Sequence, residues 1–103
     1  MTTTKASNPP AVLQIEHAVP DFETWKRAFD GDPVGRAASG VRQYQILRPV
    51  DDPNYVLINL EFKSRGKAER LLAAMRQVWS GPGHSVSSGQ RARIVETVEA
   101  VTY

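Results

Sequence analysis

The sequence predicts an α+β domain of the ferredoxin-like, split βαβ kind: a four-stranded antiparallel sheet with two helices on one face. Three observations predict it. Extended and helical hydrophobic patterns follow one another in the order β-α-β-β-α-β. The two central strands are separated by the turn-rich stretch Val50-Asp-Asp-Pro-Asn54. Each helical stretch carries one apolar stripe, so the pair has enough apolar surface for one side of a sheet only.

Residues 1–10 are small and polar, end in a Pro pair, and are expected to form a disordered tail; residues 11–103 are expected to form a single domain. From Ala11 to Val19, Leu13, Ile15 and Val19 fall on one side of an extended chain while Gln14 and Glu16 fall on the other. His17 is in phase with Leu13 and Ile15, which favours the helix side over the cavity side without deciding between them. Pro20-Asp21 stops this strand, and Asp21 is a natural cap for a first helix whose stripe is Phe22, Trp25, Ala28 and Phe29. Asp30-Gly31-Asp32-Pro33 ends that helix, with Gly31 expected in the left-handed conformation.

After a connector bounded by glycines, Val41 to Pro49 reads as the second strand, with Tyr44 and Ile46 on one face and Gln43, Gln45 and Leu47 on the other. Tyr55 to Phe62 is the third. Val56, Ile58, Leu60 and Phe62 make one wholly apolar face of it, and Tyr55, Leu57, Asn59 and Glu61 an amphipathic one. Ser64 is expected to cap a second helix along which Ala68, Leu71, Leu72, Met75, Val78 and Trp79 form the longest apolar stripe. Gly81 to Gln90 reads as a Gly- and Ser-rich loop, and a last strand carries Ile94 to Val101.

At 103 residues and 41% apolar composition the chain supports one core. The absence of Cys excludes disulfides, thiolate metal sites and a Cys nucleophile. A net charge of +2 without a basic block gives no footprint for nucleic acid, so none is expected as a partner. No run of about 18 apolar residues exists to cross a membrane, and no membrane partner is expected. The first ten residues lack the apolar stretch of about 7–15 that a signal peptide needs, so the expected location is cytoplasmic. The sheet face left bare by the helices is in part too apolar to stay wet. A second copy of the same sheet covers it economically, giving a homodimer in which polar groups line an enclosed cavity.

In this setting the chain resembles the dimeric α+β barrels, the superfamily of the antibiotic-biosynthesis monooxygenases and their haem-degrading relatives. The resemblance rests on the order of elements together with Val19-Pro-Asp-Phe-Glu-Thr-Trp25, Arg48-Pro-Val-Asp-Asp-Pro-Asn54 and Asn59-Leu-Glu-Phe62. The chain looks most like small actinobacterial members of that group, some of them labelled cyclases. The resemblance implies a homodimer that binds a small apolar or aromatic molecule, with cofactor-independent monooxygenase, isomerase or cyclase chemistry. The haem-degrading relatives carry an Asn in their first strand, where this chain has Gln14, Glu16 and His17. That activity is not implied.

Glu16, Asn59 and Glu61 are spaced to converge on the bare sheet face. His84 lies in the Gly81–Gln90 loop, within range of a cleft mouth. On the resemblance, proton removal or positioning falls to Glu16, His17 or His84, and Tyr55 and Asn59 hold the substrate's oxygen, with Glu61 beside them. No cofactor and no metal are expected. Haem, the alternative, requires His17 or His84 as axial ligand. The competing expectation is a non-enzymatic dimerisation or ligand-sensing module, since one fold hosts both uses.

Overall fold

β1 (Ala11–Ala18) alternates between buried and half-buried residues over its first seven positions, as a strand between a core and a second surface must. The structure, a computed structural model, describes residues 10–81 and 88–103. Ala11, Leu13, Ile15 and His17 are buried together on one face, while Val12, Gln14 and Glu16 occupy the other.

α1 (Phe22–Asp30) begins where Asp21 takes an extended backbone and its carboxylate accepts from the Thr24 N–H at 2.9 Å and the Thr24 hydroxyl at 2.6 Å. Trp25 and Phe29 are its buried residues and Phe22 is half-buried. Ala28 is exposed, contrary to expectation, because 100° per residue carries it off the row through 22, 25 and 29. A second difference concerns the helix end. Gly31 stays right-handed, and the left-handed residue is Asp32, with φ 52°. Asp tolerates that conformation because its short side chain bonds locally: it accepts from the Arg36 N–H at 2.8 Å and lies 3.4 Å from the Arg36 guanidinium. Arg36 also donates to the Phe29 carbonyl at 2.7 Å and stacks 3.8 Å from the centre of the Phe29 ring. This arginine closes the end of α1.

β2 (Val41–Leu47) stops short of Pro49, which has no N–H to donate and restricts Arg48 before it. β3 (Tyr55–Phe62) shows the predicted asymmetry: Val56, Ile58, Leu60 and Phe62 are buried and the residues between them half-buried. α2 (Arg65–Trp79) buries Ala68, Leu71 and Leu72, with Met75 and Trp79 packed against the core. Ser64 has the backbone of a cap, yet its side chain makes no capping hydrogen bond.

β4 (Ser88–Glu96) differs most from expectation. It begins inside the expected loop and ends before the expected strand does. Its early residues pair with the second half of β1, Arg91 opposite Glu16 and Ser88 opposite Ala18. Between those pairs Gly89 and Gln90 face the single His17, and Gly89 has φ 67°. This is a glycine bulge, which hides a strand start inside a loop-like composition. At the other end Thr97 donates to the Pro10 carbonyl at 3.3 Å, and Pro10 has no N–H to return, so the ladder stops.

The sheet order is β2-β3-β1-β4, antiparallel throughout. The buried residues of β1, β3, α1 and α2 form one cluster, which places both helices on the same face. Phe62, Leu13, Ile15, Leu60, Leu71 and Val56 are its largest fully enclosed side chains. Each contributes about 1.5–3 kcal/mol by leaving water. Among the described residues no helix is long and apolar enough to cross a membrane.

Candidate ligand-binding face

The helix-free face of the sheet is organised by register. Three rows of side chains cross it from β2 to β4: Leu47–Leu57–Glu16–Arg91, Gln45–Asn59–Gln14–Arg93 and Gln43–Glu61–Val12–Val95. Because the side-chain period of a strand is two, these residues share one face and the core residues between them share the other. Tyr55 lies opposite Ala18 and reaches diagonally across to β1.

Its hydroxyl donates to Glu16 Oε1 at 3.0 Å. Burial of the phenol, then the hydrogen bond and charge of Glu16, push the Tyr55 pKa above its ordinary value of 10, and the positive charge of Arg91 opposes them. Tyr55 therefore stays protonated and remains a donor at neutral pH. Gln43 Nε2 donates to Glu61 Oε2 at 2.6 Å, and Arg93 Nε donates to Gln14 Oε1 at 3.2 Å. A cavity of about 330 Å³ opens between β1 and β4, lined by Gln14, Glu16, Arg91, Ala92 and Arg93. A second, of about 370 Å³, lies along β2 and the connector, with Arg36, Arg42 and Tyr44 among its walls.

Of the residues singled out in the sequence, Glu16, Tyr55, Asn59 and Glu61 share this face, and Glu16 and Tyr55 touch. His17 does not join them. Its ring sits on the helix side, 2% exposed, edge-on to Trp25; the thickness of the sheet separates it from the cavity, and packing shields it from any haem at the surface. His84 lies outside the described residues. Among the described residues no group of three or more side chains is placed to hold a metal ion. Sequence reasoning missed Arg91 and Arg93. Their signal was the alternation Arg91-Ala-Arg-Ile94, which continues the strand pattern four residues upstream of Val95.

No protein-family model matches the chain, and no curated protein is similar enough in sequence to stand as a relative. Solved structures do match. SnoaB from Streptomyces nogalater, a cofactor-independent oxygenase, aligns with a TM-score of 0.69 at 13% identity, over 92% of this chain and 99% of that one. A Nitrosomonas europaea protein provisionally described as an antibiotic biosynthesis monooxygenase gives 0.68 at 16%, over 92% and 96%. A dimeric ferredoxin-like protein from an uncultured marine organism gives 0.62 at 12%, over 90% and 99%. At these identities the likeness is one of fold. That fold is the one shared by the dimeric ferredoxin-like, antibiotic-biosynthesis-monooxygenase-like structures.

Proposed function

We propose that the protein is a homodimer, joined through the helix-free sheet face, that binds a small organic carbon acid there and acts on it with Glu16 and Tyr55. The observation that carries this reading is the 3.0 Å hydrogen bond from the Tyr55 hydroxyl to Glu16, beside a cavity of about 330 Å³. A carbonyl oxygen that displaces this contact takes the Tyr55 donor for itself and leaves the Glu16 carboxylate beside the adjacent C–H bond. The proton passes from carbon to Glu16, and the electron pair moves to the carbonyl oxygen, where the phenol stabilises it. Asn59, one strand away in the next row, supplies a further donor to that oxygen.

The resulting enolate is the common entry to three reactions. Capture by dioxygen makes an oxygenase, reprotonation at another carbon an isomerase, and attack on a second carbonyl of the same molecule a cyclase. The fold likeness to a cofactor-independent oxygenase supports the first. Dimerisation is supported by the exposed apolar side chain of Leu47 beside Leu57 and by the Val12–Val95 pair on the same face, and by the dimeric ferredoxin-like neighbour.

Exchange of the acidic C–H of β-tetralone in heavy water, followed by proton NMR, tests the chemistry. The protein is expected to accelerate exchange, Glu16→Gln to slow it by about 10²–10⁴, and Tyr55→Phe by about 10²–10³. Exchange no faster than in buffer, or unchanged in Glu16→Gln, removes the acid–base role and leaves the dimerisation or ligand-sensing module.

A further inference from the structure

The row Leu47–Leu57–Glu16–Arg91 has a polarity that runs one way, from two leucines on β2 and β3, through the carboxylate on β1, to a guanidinium on β4. Neighbouring strands are about 4.8 Å apart, so the row spans roughly 14 Å. Arg93 stands two residues along β4 from Arg91, hence on the same face, and both line the cavity. The hydrogen bond from Arg93 Nε to Gln14 anchors the side chain through one donor of its fork. The Arg91 charge acts on the Tyr55 hydroxyl, which places it within electrostatic range of the Glu16–Tyr55 pair.

We infer that the ligand is a monocarboxylate with an apolar body, its acid group held by Arg91 and Arg93 and its apolar part lying over Leu57 and Leu47. This rests on the Glu16–Tyr55 reading, which sets the reacting carbon between the two ends. The planar guanidinium matches a carboxylate with two parallel hydrogen bonds. Glu16 and Glu61 share the face with the two arginines and offset their charge, so a single negative group suits the site better than a phosphate or polyanion. The leucines take the apolar remainder.

Calorimetric titration of the full chain with a ring-carboxylated β-tetralone and with its methyl ester tests this. The acid is expected to bind at least about tenfold more tightly, the worth of one charge-assisted hydrogen bond. The preference is expected to weaken with salt and to vanish in the Arg91→Gln, Arg93→Gln double variant, while the ester binds both proteins alike. Equal binding of acid and ester, binding of neither, or a preference that survives in the double variant overturns the inference. So does dissociation of the dimer in the double variant, seen by light scattering, since the arginines then pair with carboxylates of the second copy. Heavy-water exchange on the same two compounds separates this inference from the one beneath it. A preferred acid that exchanges no faster than in buffer leaves the ligand class standing without the chemistry, and catalysed exchange without preference does the reverse.

Discussion

His17 stands edge-on to Trp25, the two ring centroids 5.9 Å apart and their planes inclined by 65°. A carbonyl can only accept, so the 3.1 Å contact from His17 Nδ1 to the Ala18 oxygen fixes the proton on Nδ1. Burial lowers the His17 pKa below its ordinary value of 6.5, against a smaller raising effect of that carbonyl.

Stability is therefore expected to depend on pH in a defined direction. Above 6.5 both the folded and the unfolded chain hold His17 neutral, and stability is full. As the pH falls through 6.5 the unfolded chain takes up the proton first, and stability is lost until the pH has passed the lowered folded value. Urea unfolding between pH 8 and pH 5 reads this slope, and His17→Phe is expected to flatten it. A slope that persists in His17→Phe assigns it to other groups.

The two helix starts are expected to respond differently to truncation. Asp21→Ala removes two hydrogen bonds from Thr24 and lowers the melting temperature. Ser64→Ala removes no side-chain capping bond and leaves it nearly unchanged. Equal losses in thermal melts of the two variants contradict the assignment.

In the core, Phe62→Ala is expected to cost about 3–5 kcal/mol, because the ring is fully enclosed and its neighbours cannot close the void. On the opposite face, Leu57→Arg is expected to spare the fold, by circular dichroism, and to shift the mass in light scattering from dimer to monomer. A monomeric parent protein removes the homodimer.

Two glycines are expected to change stability in opposite senses. Gly66 lies in α2 with nothing within 4 Å of a Cβ placed there, so Gly66→Ala gains roughly 0.4–1 kcal/mol from a stiffer unfolded chain. Gly89 also has open space around it, but its φ is 67°, and Gly89→Ala costs about 1–2 kcal/mol of backbone strain. Paired denaturant titrations compare them directly.

What the sequence made legible was local. The two faces of β3 and the Asp21 cap follow from spacing within a few residues, and the structure agrees with each; the side of β1 that His17 occupies was left open by the sequence and is settled by its packing on Trp25. What it hid depends on neighbours distant in the chain. Ser88-Gly89-Gln90 has the composition of a loop and becomes strand because β1 offers a ladder to it. Asp32 becomes the left-handed residue because Arg36 is there to receive its carboxylate. On the helix-free face, Glu16 and Asn59 were visible from alternation, whereas Arg91 and Arg93 joined them only once β4 was seen to begin at Ser88.

The Gly89 bulge has a counterpart at the far side of the sheet, where Arg42 is the extra residue between the Val41–Phe62 and Gln43–Glu61 pairs. Both outer strands are thus kinked, and both carry arginine. A kinked, charged border is a poor template for another strand, so growth of the sheet sideways into fibres is opposed at each end. Association face to face escapes that opposition and, being two-fold, uses up its own surface. The same irregularities that bend the edges therefore bias the protein toward small closed assemblies, and grafting a straight, apolar sequence onto either border is the change that would undo this.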